Sequence, residues 1–283
     1  MTTNDLFFLI FLFSVVQPLL QQRVLLARRV GVIRAVERER SSRLITLIHR
    51  QESLSFFGLP FARYIDIDDS AEVLRAIELT DNEVPIDMVL HTPGGLVLAA
   101  EQIALALRKH PAKVTVMVPH YAMSGGTLIA LAADEIQLAP SAVLGPVDPQ
   151  IGEYPAASIL AAVERKDINE TDDKTLILAD VSRKAISQIH GAVVSLLVAN
   201  GKDADSADKL ARTLSEGRWT HDHPITAEAA KELGLPVSTS LPEKVRAMIR
   251  LYPQPRGRQP SVEYIPLPYG PSRRPRRSSQ TTP

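Results

Sequence analysis

Between Val114 and Asp134 an apolar stretch is interrupted by Ser124, Gly125 and Gly126, and these three residues are the part of the chain best suited to chemistry. Val114 to Val118 is a β-branched run closed by Pro119, the pattern of a buried strand. Thr127 to Ala133 is rich in Ala and Leu with no breaker, the pattern of a buried helix. A serine at such a strand-to-helix junction is presented on a tight turn, where the following glycines let backbone and substrate approach closely. The free N–H groups of the helix start favour negative charge developing there. Ser124 is therefore a candidate nucleophile, and by the same position a candidate N-cap.

A second corner decides between these readings. Ile86 to Leu90 has the pattern of a strand, His91-Thr92-Pro93-Gly94-Gly95 breaks it, and a helical pattern runs from Leu96 to about Lys109. Two glycine-rich corners separated by one helix have βαβ spacing, which sets them side by side on a parallel sheet. One corner then supplies the serine, and the other supplies backbone N–H groups at Gly94 and Gly95 for an oxyanion.

The segments His91-Thr92-Pro93-Gly94-Gly95, Tyr121-Ala122-Met123-Ser124-Gly125-Gly126-Thr127, Ala132-Ala133-Asp134-Glu135-Ile136 and Leu144-Gly145-Pro146-Val147-Asp148-Pro149-Gln150 resemble the Clp/crotonase-fold serine proteases. Within that superfamily the chain is most similar to the membrane-bound serine dehydrogenase proteinases, relatives of signal peptide peptidase A. The resemblance runs from Leu44 to Pro253 and is most specific from His91 to Gln150. It implies an α/β, Clp/crotonase-like fold of repeated ββα units, with Ser124 as nucleophile and Gly94 and Gly95 as the oxyanion hole. Gly125 is implied as a further oxyanion donor. Assembly into symmetric homo-oligomers is implied as well.

The general base is harder to place. The Clp peptidase carries its histidine a short way after the serine, but here no histidine lies between Tyr121 and Ile189. A lysine made neutral by burial is one substitute, and likeness to signal peptide peptidase A implies such a Ser-Lys pair. Lys166, Lys174 and Lys184 are the candidates. Lys166, ahead of a helix opening near Asp172 and Asp173, is the expected base, although Glu164, Arg165 and Asp167 give it polar company. His120 is the alternative base and His91 a weaker one. His221-Asp222-His223 reads either as a metal or acid–base cluster or, because its surroundings resemble the closing element of the Clp superfamily, as part of a structural segment packing a helix back on the sheet. Asp148 either orients a base, binds substrate backbone or caps a turn.

The elements that must position these residues alternate strand and helix from Leu44 onward, which argues for a parallel α/β domain over residues 44–253. Leu44 to His49 and Tyr64 to Ile67 read as strands, with a loop rich in Phe, Gly and Pro between them. Asp68-Asp69-Ser70 opens a helix ending near Leu79, and Ser240 to Tyr252 gives a last one. Residues 5–22 are expected to form an N-terminal transmembrane anchor and residues 23–43, with seven arginines, a basic juxtamembrane helix. The arginines direct the catalytic domain to the cytoplasm as a single-pass protein. Residues 254–283, rich in Pro and Arg, read as a disordered tail.

Lysine plus arginine balance aspartate plus glutamate at 32 each, so bulk charge points to no nucleic-acid partner. The absence of cysteine excludes disulfides, a thiol nucleophile and thiolate metal sites; no metal or cofactor is expected. The function expected is a membrane-anchored serine endopeptidase acting on polypeptide. The alternatives are a crotonase-type acyl-CoA enzyme, for which Glu101 is the carboxylate on offer, and an inactive scaffold of the same fold.

Overall fold

The computed structural model describes residues 3–49 and 64–252. The loop expected after His49 and the tail expected over 254–283 lie outside the described residues. The chain opens with α1 (Thr3–Arg40) and continues through β1 (Arg43–Ile48), α2 (Ile67–Glu78), β2 (Ile86–His91), α3 (Val97–Lys109) and β3 (Val114–Val118). Next come β4 (Tyr121–Ala122), α4 (Gly125–Ala130), β5 (Glu135–Leu138), β6 (Val143–Leu144), β7 (Gln150–Ile151) and β8 (Tyr154–Pro155). Then α5 (Ala156–Glu164), α6 (Asp173–Ala199) and α7 (Ala204–Ser215) precede β9 (Ile225–Thr226), α8 (Ala227–Glu232), β10 (Val237–Ser238) and α9 (Glu243–Met248).

The main sheet runs β1-β2-β3-β5-β10, and all of its pairings are parallel. Every residue of β2 and β3 is buried, as expected of central parallel strands covered by helices on both faces. A second small sheet, β4-β6-β9, lies beyond the C-terminal ends of these strands, β6 running parallel to β4 and antiparallel to β9. Each of β3 and β5 thus hands on to a short strand of the second sheet, and the β3–β4–α4 run is a ββα unit. Tyr64 to Ile67 differs from the strand expected: Ile65 makes a single bridge to Gly95, and α2 starts at Ile67. Asp66 ends the extended segment because its side chain accepts from the Asp69 amide while Asp69 accepts in return, a closed capping box.

α1 corrects the expected N-terminus. It is one continuous helix across the boundary drawn at residues 22 and 23, and among the described residues no helix is long and apolar enough to cross a membrane. The physical reason is length. The apolar run from Leu6 to Leu20 spans about 22 Å at 1.5 Å per residue, against about 30 Å of hydrocarbon, and Gln21, Gln22 and Arg23 follow at once. The span over 5–22 and the single-pass topology built on it therefore have no helix to carry them. The other end of α1 is part of the domain. Val36 is in the core with Val32 and Ile33 packed against it, and Arg40 donates twice to the buried Asp87 carboxylate at the start of β2.

Candidate active site

The two glycine-rich corners meet as their spacing predicts. Thr92 bridges Ala122 in parallel; the Thr92 amide donates to Tyr121 O at 3.2 Å and the Met123 amide donates to Thr92 O at 3.0 Å. These bonds tie the turn after β2 to the residues just ahead of Ser124. A Cβ built on Gly94 would lie 2.7 Å from the Ser124 Cβ and 3.1 Å from the Gly125 nitrogen, so only glycine fits against the serine. Gly94 also holds φ +106°, a conformation that other residues rarely adopt. One residue on, a Cβ on Gly95 would fall 2.3 Å from the Ile65 backbone nitrogen and oxygen.

Ser124 is the N-cap of α4 by position, with φ +50° and ψ −117°, but its side chain makes no capping hydrogen bond. The α4 start is closed by backbone instead: the Gly126 amide donates to Met123 O at 2.7 Å. Partly exposed and held in a conformation foreign to serine, Ser124 is presented rather than used structurally. A non-glycine residue in such a region costs of order 1–3 kcal/mol and persists only where its surroundings enforce it. Here the enforcement is visible. Buried Thr127 donates to Ala122 O at 2.8 Å and accepts from the Gly145 amide at 3.0 Å, pinning β4, α4 and the end of β6 together.

The amides divide unevenly. The Gly94 N–H donates to Thr92 Oγ1 at 3.1 Å, so it is committed within its own turn. Neither the Gly95 nor the Gly125 amide has an acceptor among the described residues. A Cβ on Gly125 would stand 3.6 Å from the Gly95 nitrogen, which places these two amides together beside Ser124. Thr92 is itself held from below. Its Oγ1 lies 3.0 Å from His49 Nδ1, and His49 Nε2 lies 3.1 Å from Asp69 at the start of α2. This buried brace was not apparent in the sequence, where His49 is merely the last residue of a strand.

The candidate bases separate clearly. None of the lysines among the described residues is buried. Lys166 sits on an exposed bend past α5, whose first amide donates to Pro149 O; the nine-residue helix sets it about 13 Å beyond that corner. Lys174 is exposed in the first turn of α6, and Lys184 is exposed and paired with Asp180 at 2.5 Å. His120 is exposed, its ring stacked at 5.7 Å on buried His91, with Tyr121 against both. Glu101 lies within α3 and is half-buried.

A pair not foreseen from the sequence lies across the second sheet. His221 Nδ1 is 2.9 Å from Asp148 Oδ1, and Gln150 Nε2 donates to the other carboxylate oxygen at 2.7 Å. The Asp148 side chain is 2% exposed and that of His221 33%. The two residues are 73 positions apart; the Asp-Pro turn and the His-Asp-His run were each visible, but not their meeting. No group of acidic and histidine residues able to hold a metal ion occurs among the described residues.

Two uncharacterized proteins of Methanocaldococcus jannaschii are similar to the chain. One is 54% identical over 270 residues, covering 95% of this chain and 92% of the relative. The other is 52% identical over 266 residues, covering 93% and 92%. Among solved structures, a membrane-bound stomatin-specific protease in a serine-to-alanine form overlays with a TM-score of 0.46 at 20% identity, covering 70% of this chain and 79% of that one. A lysine-to-alanine form in complex with a substrate peptide gives 0.45 at 20% identity, covering 70% and 74%. Residues 1–279 match the family described as ClpP-like SDH-type serine proteinases, and the chain belongs to that family.

Proposed function

We propose that the protein is a serine endopeptidase in which the Ser124 hydroxyl attacks a peptide carbonyl and the Gly95 and Gly125 amides receive the oxyanion. The observation that carries this reading is the placement of Ser124. It is strained, partly exposed, absent from capping, and packed so closely on Gly94 that no side chain fits between them. Attack forms the C–O bond of a tetrahedral intermediate whose negative oxygen needs two donors at about 3 Å. The amine then leaves with a proton, and water hydrolyses the acyl ester to restore the serine. Gly94, with its amide committed to Thr92, contributes close approach rather than a donor. A cleft lined by Tyr64, Ile65, Asp66, Asp69, Gly95 and Leu96 opens beside this corner and offers room for an extended polypeptide.

The acyl-CoA alternative shares the paired amides but gives no role to a strained serine hydroxyl, and nothing else in the site favours it. A fluorophosphonate probe distinguishes the two. It is expected to label the wild type at Ser124, located by peptide mass spectrometry, and to leave Ser124→Ala unlabelled. Equal labelling of both proteins removes Ser124 from the role.

A further inference from the structure

We infer that His49 is a positioning residue of the oxyanion hole: with Asp69 it locks the Thr92 hydroxyl in the orientation that fixes the turn carrying the Gly95 amide. The inference rests on Ser124 being the nucleophile and Gly95 an oxyanion donor. Both flanks of Gly95 are tied down, and both ties end on one atom. On one flank the Ile65 amide donates to Gly94 O and the Leu96 amide donates to Ile65 O, each at 2.8 Å. The Asp66 amide, next along the chain, donates to Asp69 Oδ2 at 3.0 Å. On the other flank the Gly94 amide donates to Thr92 Oγ1 at 3.1 Å, and Thr92 Oγ1 lies 3.0 Å from His49 Nδ1. His49 Nε2 then lies 3.1 Å from that same Asp69 Oδ2. A closed ring of hydrogen bonds surrounds the donor corner.

The direction of each bond follows from the groups involved. A carboxylate only accepts, so in the neutral imidazole the proton sits on Nε2 and Nδ1 is left to accept. The Thr92 hydroxyl therefore donates to His49 and offers a lone pair to the Gly94 amide. Without His49 the hydroxyl proton turns to Gly94 O, 3.4 Å away, the acceptor on which the Ile65 amide already closes the opposite flank. Thr92 is fully buried and the His49 side chain only 7% exposed. The imidazole thus acts through Thr92 and does not meet the substrate carbonyl.

An oxyanion donor is effective when it is already aimed at the place where charge develops. Thr92 sets that aim, because its backbone also bonds Tyr121 and Met123 just ahead of Ser124. Slack at its hydroxyl turns the Gly95 amide away from the serine. A ground-state carbonyl needs the donor less than the tetrahedral intermediate does, so the loss falls on the chemical step and not on affinity. The two arms of the Thr92 side chain are separable. Its hydroxyl faces His49, while its methyl lies 2.6 Å from where a Cβ on Gly126 would stand.

The test measures fluorophosphonate labelling of Ser124 in the full-length protein over a range of probe concentrations, which separates the limiting rate from probe affinity, with melting temperatures recorded alongside. In His49→Gln the amide takes the place of Nε2 and the bond to Thr92 is lost. The limiting rate is expected to fall by about 10-fold or more, part of the roughly 100- to 1,000-fold that loss of a whole oxyanion donor costs, with affinity unchanged. In His49→Asn the amide takes the place of Nδ1, and most of that loss is expected to be recovered. Thr92→Val keeps the methyl and removes the hydroxyl, and is expected to match His49→Gln; Thr92→Ser keeps the hydroxyl and is expected to label faster than Thr92→Val. Combining His49→Gln with Thr92→Val is expected to be no slower than either alone, since both break one bond. His49→Gln labelling at the wild-type limiting rate overturns the inference and leaves the serine reading standing. Thr92→Ser labelling no faster than Thr92→Val, or losses that follow melting temperature alone, also overturn it and make the ring a matter of stability. A wild type that is not labelled at Ser124 overturns the serine reading, and this inference with it.

Discussion

At the scale of the residue, the strain at Ser124 is itself a prediction. Replacing it with glycine releases a φ of +50° that serine tolerates poorly, so Ser124→Gly is expected to raise the melting temperature, by about 1 kcal/mol of stability, while removing activity. Ser124→Ala keeps the strain and is expected to gain little. Thermal melts of the three proteins check this; a glycine variant no more stable than the alanine variant contradicts it. Gly94→Ala acts the other way. Its Cβ would sit 2.7 Å from the Ser124 Cβ at a φ of +106°, and a loss of about 2–4 kcal/mol is expected together with loss of labelling. Serine, glycines and their spacing were legible in the sequence because each is a local demand of a strand-to-helix turn. That the Gly94 amide is spent on Thr92, leaving Gly95 and Gly125, was not, since it depends on a turn geometry that residue types do not specify.

At the scale of the element, two charged clusters at the N-terminal edge of the main sheet secure the strands whose other ends build the site. Buried Asp87 accepts from Arg40 at 2.5 and 2.9 Å and from Ser42 at 2.5 Å, and the carboxylate beside it holds the Arg40 guanidinium above its usual pKa. Arg40→Ala leaves that carboxylate without its counter-charge, and a loss of about 2–4 kcal/mol is expected in chemical denaturation; an unchanged midpoint contradicts it. Glu135, at the start of β5, is pulled down to about 2, first by the hydrogen bond from Lys113 and then by that from Gln137. A depressed carboxylate stabilises the fold above its unfolded pKa and loses that contribution as pH falls through the folded one. The stability difference between wild type and Glu135→Gln is therefore expected to be full near neutrality and to fade from about pH 4.5 down to about pH 2. A difference that stays constant across this window contradicts the assignment. Strands β1, β2 and β3 were legible from their largely apolar, β-branched runs. The two-residue strands β4, β6 and β9 were not, because so short a segment carries no periodicity and is defined by its partner. That is why the meeting of Asp148 and His221 went unseen.

At the scale of the whole molecule, α1 divides into a C-terminal part packed on the domain and an earlier part whose described large apolar side chains are exposed. Phe13, Val16, Leu19, Leu20 and Val24 are exposed, whereas Val36 is buried and Arg29 donates to Leu251 O at 2.8 Å with its guanidinium 3.9 Å over the Tyr252 ring. Removal of residues 1–22 is expected to leave the melting temperature and Ser124 labelling unchanged, and removal of residues 1–40 to lower both. Equal effects of the two truncations contradict this division. The sequence drew that boundary by hydrophobicity and charge, whereas one helix runs across it and no helix among the described residues is long and apolar enough to cross a membrane. Continuity of a helix is set by what its far end packs against, here the β1 edge and α9, which no local window contains. The central claim concerns the centre of the molecule, where Ser124 and the Gly95 and Gly125 amides converge. Its most direct measurement is turnover of an unfolded polypeptide by wild type and by Ser124→Ala at equal concentration. Cleavage by the wild type, reduced by about 1,000-fold or more in the variant, is the predicted result; cleavage by Ser124→Ala at an undiminished rate contradicts the account.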